Sequence, residues 1–507
     1  MDCLSLRPHL SGGHSLDSVR TLALRFKLHT ARQKKLLSFV KSTLYNISPC
    51  RLRIRCTLRT PTIISDLENS IPLLPVTSSR SDSFKVTGKC KLSGHVHISG
   101  AKNAALAVIA GSLCSSEDIR LRNIPNLLDV SIMLQILKSL GVYVHSSGND
   151  VHINARELST SEPCEKSVQK IRAGFFVLGA LLGRNGEAVL ALPGGCAIGT
   201  RPIDLHLRGL EALGARVEVR QGNVYAWVGG GSKRLKGGTF CMDFPSVGAT
   251  ESLMMAACLA DGKSVLSNVA KEPEVTDLAN FLISCGAKID GVGSNTLVIQ
   301  GVTKLHGADY TIIPDRIEAG TFLIAAAITR SSLTVSPTIP AHLTSVIRQL
   351  RNIGCKLTEP NSNMLQIVCS SSLNNLEVAT GPYPLFPTDL QPQLMSLATT
   401  CIGQSIVKET IFEKRMGHVE ELMKLGARIN VTKNMAVIQG TSGLVGTKLK
   451  ANNLRAGSAL ILAGMAADGV SIIEGVSHVD RGHEGLDHKL RLLGANIERL
   501  VGKHITV

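Results

Sequence analysis

The chain is expected to be an α/β protein assembled from six repeated β/α modules of about 70 residues, and three observations predict this. First, one phrase recurs six times: a leucine-rich helix tail, a glycine, a small residue, a charged or polar one, then a β-branched run. It reads LKSLGVYV, LEALGARV, LISCGAKI, LRNIGCKL, LMKLGARI and LRLLGANI. Second, its glycines, Gly141, Gly214, Gly286, Gly354, Gly426 and Gly494, stand 68–73 residues apart, and so steady a period is the mark of stacked supersecondary units. Third, each copy carries another helix of small and apolar residues that runs through a polar turn into a β-branched strand. Examples are NAALAVIAGSL from Asn103, ESLMMAACLADGKSVL from Glu251 and ALILAGMAADGVSII from Ala459.

The second kind of helix has almost no polar face and should be buried on all sides. The LxxLG helices are amphipathic, with charges between the leucines, and should cover the outside. The glycine that ends each supplies the left-handed cap that turns the chain into a strand. Each module thus has one inner and one outer helix. Six modules place the start of the body near Phe84, where FKVTGKCKLSGHVHISGAKN alternates in strand fashion between turn glycines.

Residues 1–80 follow no module pattern. They hold thirteen Lys and Arg against Asp2, Asp17, Asp66 and Glu68, and are rich in Ser, Thr and Leu. A basic, hydroxylated, acid-poor leader predicts a disordered organelle transit peptide over residues 1–82; an ordinary tail is the plainer alternative.

That leader carries more than half of the net charge of +16. The body has no basic run and aromatic residues make up only 3% of the chain, which argues against a nucleic-acid partner. Its residual positive charge suits a small polyanionic ligand. No stretch reaches eighteen apolar residues, so no membrane-spanning helix is expected. The thirteen cysteines show no paired spacing and many sit in apolar helices, as Cys258 and Cys401 do. That usage fits a reduced compartment, with neither a disulfide framework nor a zinc site.

Chemistry is expected between the modules. In LPGGCAIGTRPIDLH, Leu192 to His206, glycines flank Cys196 on both sides, giving a close-approaching loop suited to a lid. Arg201 follows five residues on, where it could lower the thiol pKa and bind an anion. Lys102, in GAKN, stands at the mouth of a buried helix whose free N–H groups attract anions. Asp389, in FPTDLQPQ, precedes another such helix, where a capping role is the plainer reading. Arg415 in FEKRMGH, Arg455 in NLRAG and Arg481 in HVDRGHEG occupy similar junctions. Singly each would be a surface charge; together they point to one shared anion site.

At these residues the chain resembles the UDP-N-acetylglucosamine 1-carboxyvinyltransferases, a branch of the enolpyruvyl transferase family. SGAKNAAL, PGGCAIGTRPIDLH, FPSVGAT, VAKEPEVTDLANFL, PDRIEAGTFL, FPTDLQ, FEKRMGH and DRGHEG carry the likeness, which runs from about Phe84 to Val507. It implies an inside-out α/β barrel of two similar domains, each of three modules: domain A of residues 84–102 with 314–507, and domain B of residues 103–313. The site would lie in the cleft between them, with the Cys196 loop as its lid.

The implied reaction moves the enolpyruvyl group of phosphoenolpyruvate to the 3-hydroxyl of UDP-N-acetylglucosamine and releases phosphate. It calls for a general acid, a general base and strong anion binding, with no cofactor or metal. By resemblance, Cys196 protonates the methylene carbon and forms an adduct with the epoxide fosfomycin, while Asp389 binds the 3-hydroxyl and acts as base. Lys102, Asn103, Arg201, Arg415, Arg455 and Arg481 would bind phosphoenolpyruvate. Asn103, Arg172, Arg201, Pro202, Ile203, Asp204, Leu205, Ser246, Val247, Gly248, Asp389 and Ile411 would line the UDP-sugar site.

Two departures stand out. Asn453 occupies the place of an aspartate that assists proton transfer in well-known members, and Phe244 that of a lysine found near the uridine in some. Three alternatives stay open: the sister enzyme that makes enolpyruvylshikimate phosphate, which lacks the PGGC loop and the cysteine acid; a UDP-sugar-binding protein without turnover; and a nucleic-acid-binding relative. A leader on such an enzyme implies a plastid, with a mitochondrion as the alternative.

Overall fold

The computed structural model describes residues 82–194, 198–199, 201–231, 233–441 and 443–502. The leader expected over residues 1–82, but for Asp82 itself, lies outside the described residues, and so does Cys196.

Among the described residues there are six inner helices, at Lys102–Gly111, Val177–Asn185, Val247–Cys258, Arg316–Ile328, Gln391–Ala398 and Leu454–Ala466. As their composition requires, they are buried on every face; Ala104 to Ala110, for example, is wholly enclosed. They also approach one another closely. A Cβ on Gly179 would enter the carbonyl oxygen of Ser252 on the next inner helix, and Ser396 Oγ donates to the Ala459 carbonyl at 2.8 Å between two others.

Six outer helices, Leu128–Ser139, Asp204–Ala212, Pro273–Ser284, Thr344–Asn352, Val419–Lys424 and Leu486–Leu492, each end at one of the repeat glycines. All six glycines are left-handed, with φ between +91° and +108°. After the first, Val142 N–H reaches back to the Leu137 carbonyl at 3.3 Å, which closes the helix end and launches the strand.

There are six sheets among the described residues, one per module, five of four strands and one of three. Three of them borrow a strand from far along the chain. Asp309–Thr311 pairs in parallel with Asp118–Arg122 of the first module. His95–His97 pairs in parallel with Ser332–Ser336 of the fourth. Ser83–Thr87 lies between Val470–Glu474 and Asn496–Leu500 of the last, antiparallel to both.

Two apolar cores result. One is built from residues between Ala101 and Ile312; the other from residues between Phe84 and Ile98 together with those from Ile317 to Ile497. The chain crosses between them twice, side by side, with Ala101 N–H donating to Ile313 O at 2.8 Å and Asp315 N–H to Ser99 O at 2.9 Å. Glu318 pins the crossing: it accepts from Ser99 N–H at 2.8 Å and from Lys489 Nζ at 2.6 Å. At Gly100 a side chain has no room, because a Cβ would fall on the carbonyl oxygen of Asn123. No helix among the described residues is long and apolar enough to cross a membrane.

Candidate active site

Between the two cores lies a cavity of about 900 Å³. The N-terminal end of every inner helix reaches its wall. Lys102 and Asn103 come from the first, Arg172 to Phe176 from the turn before the second, and Ser246 to Gly248 from the third. Arg316 and Ile317 come from the fourth, Thr388 and Asp389 from the turn before the fifth, and Asn453 and Leu454 from the sixth. Six helix N-termini aimed at one space give it a positive field before any side chain is counted.

Asp389 stands on the single 3-10 turn Thr388–Leu390. The capping role open to it in the sequence is absent, since neither this turn nor the helix that follows receives a side-chain cap. Its carboxylate is taken up by two arginines instead: Arg455 Nη2 donates to Oδ2 at 2.7 Å, and Arg415 Nη2 donates to Oδ1. Burial pushes the Asp389 carboxyl up, but the Arg455 and Arg415 guanidinium groups, with the Lys102 ammonium, outweigh it and hold it well below the usual carboxylate range. Both arginines are buried. Arg415 Nε also donates to Thr388 Oγ1 at 3.1 Å, and Thr388 Oγ1 in turn donates to Glu409 at 3.0 Å. Behind Arg455 lies buried His483, with Nε2 3.4 Å from Arg455 Nη1 and no hydrogen bond at Nδ1. Burial and then the charge of Arg455 depress its pKa far below the ordinary histidine value, so it is neutral.

A second carboxylate of the lining gathers cations of its own. Asp129, buried in the first turn of an outer helix, lies 3.4 Å from Lys102 Nζ and accepts from Arg481 Nε at 2.8 Å. Arg172 donates to the carbonyl oxygens of Arg201 and Pro202, the latter at 3.2 Å. Burial, and then the nearby Arg201 charge, lower its pKa to about 10. Arg201 lies over the Phe412 ring at 5.4 Å, and Arg415 over the same ring at 5.1 Å. His206 packs edge-on to Phe175, and burial, helped by Arg172 and Arg201, brings its pKa down to about 3.

Three glutamates also line the cavity, Glu251, Glu272 and Glu274. Glu274 grips Arg316 with two bonds of 3.1 Å, and Glu272 accepts from Tyr383 N–H at 3.1 Å. Burial, reinforced by Glu274 and Glu272, pushes the Glu251 carboxyl well up.

Of the residues singled out from the sequence, Lys102, Asn103, Arg172, Arg201, Pro202, Asp204, Leu205, Ser246, Val247, Gly248, Asp389, Ile411 and Arg481 line this cavity. Arg415 and Arg455 lie behind Asp389 rather than on the wall. Ile203 is not on the wall either; its side chain packs against the first core. Phe244 lines the cavity and is exposed. Asn453 caps the sixth inner helix, with Oδ1 accepting from Ala456 N–H at 3.0 Å. Cys196 belongs to the undescribed stretch, but its described flanks touch the site. Gly194 lines the cavity, and the Ile198 carbonyl accepts from Lys414 N–H at 3.0 Å, next to Arg415.

Asp129 was missed, as were Glu251, Glu272, Glu274 and Arg316. Glu272, Glu274 and Arg316 sit inside VAKEPEVTDLANFL and PDRIEAGTFL, motifs that carry the resemblance, and Glu251 directly follows FPSVGAT, so these residues were visible without their meeting point. Nothing around Asp129, in LLDV, distinguishes it from an ordinary first-turn helix acid.

Comparison with known proteins agrees with this geometry. The family model for EPSP synthase (3-phosphoshikimate 1-carboxyvinyltransferase) matches residues 86–490. The UDP-N-acetylglucosamine 1-carboxyvinyltransferase of Nostoc sp. is 48% identical over 84% of this chain and 95% of that protein. The protein of the same name from Synechocystis sp. is 46% identical over 82% of this chain and 95% of its own. Among solved structures, the enolpyruvyl transferase NikO from Streptomyces tendae superposes with a TM-score of 0.76 at 25% identity, over 84% of this chain and all of that one.

Proposed function

The chain belongs to the EPSP synthase family of carboxyvinyltransferases, and we propose that it is the member that acts on UDP-N-acetylglucosamine. It transfers the enolpyruvyl group of phosphoenolpyruvate to the sugar 3-hydroxyl and releases phosphate, the first committed step of peptidoglycan precursor synthesis. The observation that carries this reading is the cavity itself. Lys102, Arg172, Arg201 and Arg481 line one space with Asp389, in a chain almost half identical to enzymes of that name.

The chemistry follows from charge. Phosphoenolpyruvate brings a carboxylate and a phosphate into a wall of cations and helix N-termini. A proton added to its methylene carbon leaves C2 open to the sugar oxygen, giving a tetrahedral ketal phosphate. Loss of a methyl proton and of phosphate then forms the product alkene. Cys196 supplies the first proton. Asp389 accepts the proton of the 3-hydroxyl, a task for which a carboxylate clamped by two guanidinium groups is too weak a base. The incoming carboxylate competes for Arg415 and Arg455, loosens that clamp and raises the basicity of Asp389 as substrate binds. Lys102, Arg201 and Arg481 hold the phosphate, and the wall from Arg201 to Leu205, with Ser246 to Gly248, takes the nucleotide sugar.

The two apolar cores support reading the body as two three-module domains, residues 84–102 with 314–507 and residues 103–313. The basic composition of residues 1–82 supports a transit peptide and a plastid location. A fluorescent protein carrying the first 85 residues should enter plastids, and a wholly cytosolic signal would end that reading. The enzymatic proposal is tested by phosphate release. It should require both phosphoenolpyruvate and UDP-N-acetylglucosamine, and shikimate 3-phosphate should not replace the sugar nucleotide. UDP-sugar binding without phosphate release would mark a non-catalytic binder.

A further inference from the structure

Two hairpin cysteines remote from the cleft play no part in this chemistry. Cys355 opens the strand Cys355–Asn361 and Cys369 closes Met364–Cys369, and the two are direct cross-strand partners. Cys369 spends its N–H on the carbonyl of Ser331, just before the other neighbouring strand Ser332–Ser336, at 3.2 Å. Its backbone therefore faces away from Cys355, and the two form a non-hydrogen-bonded pair, the kind in which Cα atoms approach to about 4.5 Å and side chains are closest. That falls within the roughly 4.4–6.8 Å span a disulfide bridges. Both side chains lie on the inward face, and the sulfurs are already in hydrogen-bond contact.

The surroundings favour reaction over inertness. Arg330 holds a left-handed backbone, φ +53°, at the end of an inner helix, and its guanidinium donates to Ala327 O at 2.7 Å and Thr400 O at 2.5 Å. There it lies beside Cys355, Cys369 and Cys401. The bond from Cys369, with help from the Arg330 charge, outweighs burial and lowers the Cys355 pKa, whereas the bond to Cys355 and burial push Cys369 up and burial pushes Cys401 up to about 11, with Arg330 opposing both rises. A contrasting cluster, Cys114, Cys258 and Cys285, is buried in the other core, where burial pushes Cys114 and Cys285 up to about 12. Those sulfurs come from helices and helix ends rather than paired strands, and are built to be inert.

We propose that Cys355 and Cys369 are a reversible dithiol, a modification site that closes to an intramolecular disulfide by exchange with a low-molecular-weight disulfide such as oxidised glutathione. Cys355, having lost its own proton to solvent, takes up the proton of Cys369, the more exposed sulfur, and Cys369 attacks one sulfur of the glutathione disulfide, breaking the S–S bond. One glutathione leaves as thiolate and takes a proton from solvent. Cys355 then gives its proton to solvent and attacks Cys369 Sγ, and the second glutathione departs. Two thiols are oxidised, one disulfide is reduced, and two reduced glutathiones are formed. Arg330 stabilises the thiolate at each step, and Cys401 is left as a free thiol.

The test uses the folded full-length chain in glutathione buffers of increasing oxidation, followed by alkylation under denaturing conditions and peptide mass spectrometry. The expected result is a linked pair of peptides carrying Cys355 and Cys369, two hydrogen masses lighter and unalkylated, and restored to two alkylated cysteines by a dithiol reductant. Cys355→Ser should instead trap glutathione on Cys369, because the resolving sulfur is gone. The proposal is overturned if both cysteines remain alkylated while exposed Cys164 and Cys241 become glutathionylated, or if the linked pair appears only after the chain is unfolded in urea.

Discussion

Replacing Asp389 with Asn removes the charge between Arg415 and Arg455 and keeps the shape. Asp389 accepts two charge-assisted bonds, each worth about 1.5–3 kcal/mol. The amide retains one acceptor oxygen and turns an N–H₂ group toward the other guanidinium, so one bond is lost and one buried cation is left unpaired. Since the carboxylate borders a water-accessible cavity, screening trims the loss, and about 2–3 kcal/mol is expected at neutral pH. The sign with pH follows from the depressed pKa: this stability is present above the unfolded carboxyl value of about 3.9 and is lost as pH falls through the folded one. Wild-type and Asp389→Asn unfolding curves should therefore be separated at pH 7 and begin to draw together only as pH falls below about 4. In turnover, loss of a general base costs about 10²–10⁴-fold. KM for phosphoenolpyruvate should hold or fall, because the substrate carboxylate no longer competes with Asp389 for the two arginines. Urea unfolding at several pH values and initial rates of phosphate release measure both effects. Wild-type kcat in the variant would refute the base role, and equal stability at pH 7 would refute the ion-pair arithmetic.

Asn453→Asp keeps the capping oxygen and adds an anion at a helix N-terminus next to Arg455. It should gain about 0.3–1 kcal/mol and raise kcat; an unchanged kcat would mean that no second acid is needed here. Cys196→Ala should lose most turnover, whereas Cys196→Asp should retain some and resist fosfomycin. Mass spectrometry of the treated wild-type protein should find the adduct on Cys196 and on no other cysteine. Gly100→Ala drives a Cβ into a backbone carbonyl that cannot step aside, at a cost of about 1–3 kcal/mol, read as a lowered urea midpoint.

The module count was legible because each repeat glycine must be left-handed, and a left-handed C-cap at a steady interval leaves few alternatives. The inner helices were legible because Ala104 to Ala110 or Leu253 to Cys258 leave no polar face to turn to water. Strand partnership was not: nothing in HVH or DYT says that His95–His97 completes the fourth sheet and Asp309–Thr311 the first, since three-residue strands carry almost no periodic signal. The cations of the site and Asp389 were found through their junctions and through family likeness, but Asp129, which holds Lys102 and Arg481, was not. Asp129 reads locally as a dipole-favoured helix acid, and only the fold brings Arg481 to it from more than 350 residues away. Around Asp389 the local sequence offers capping as the plainer role, and only the family likeness makes it a base; its neighbours show a helix start and do not show two arginines. Ile203 was carried along with its run, and alternation turned it inward.

The strand Ser83–Thr87 lies inside the last sheet, flanked by segments that end at Leu500. The first residues of the body thus wait for the final ones, and the second core cannot be completed until nearly the whole chain has been made. The first core lies within residues 101–312 and carries no such delay, so folding runs out of step with synthesis, and the half containing Arg415, Arg455 and Arg481 is finished last. Any trimming of the preceding residues must stop short of Ser83, because a cut a few residues later removes a central strand rather than a tail.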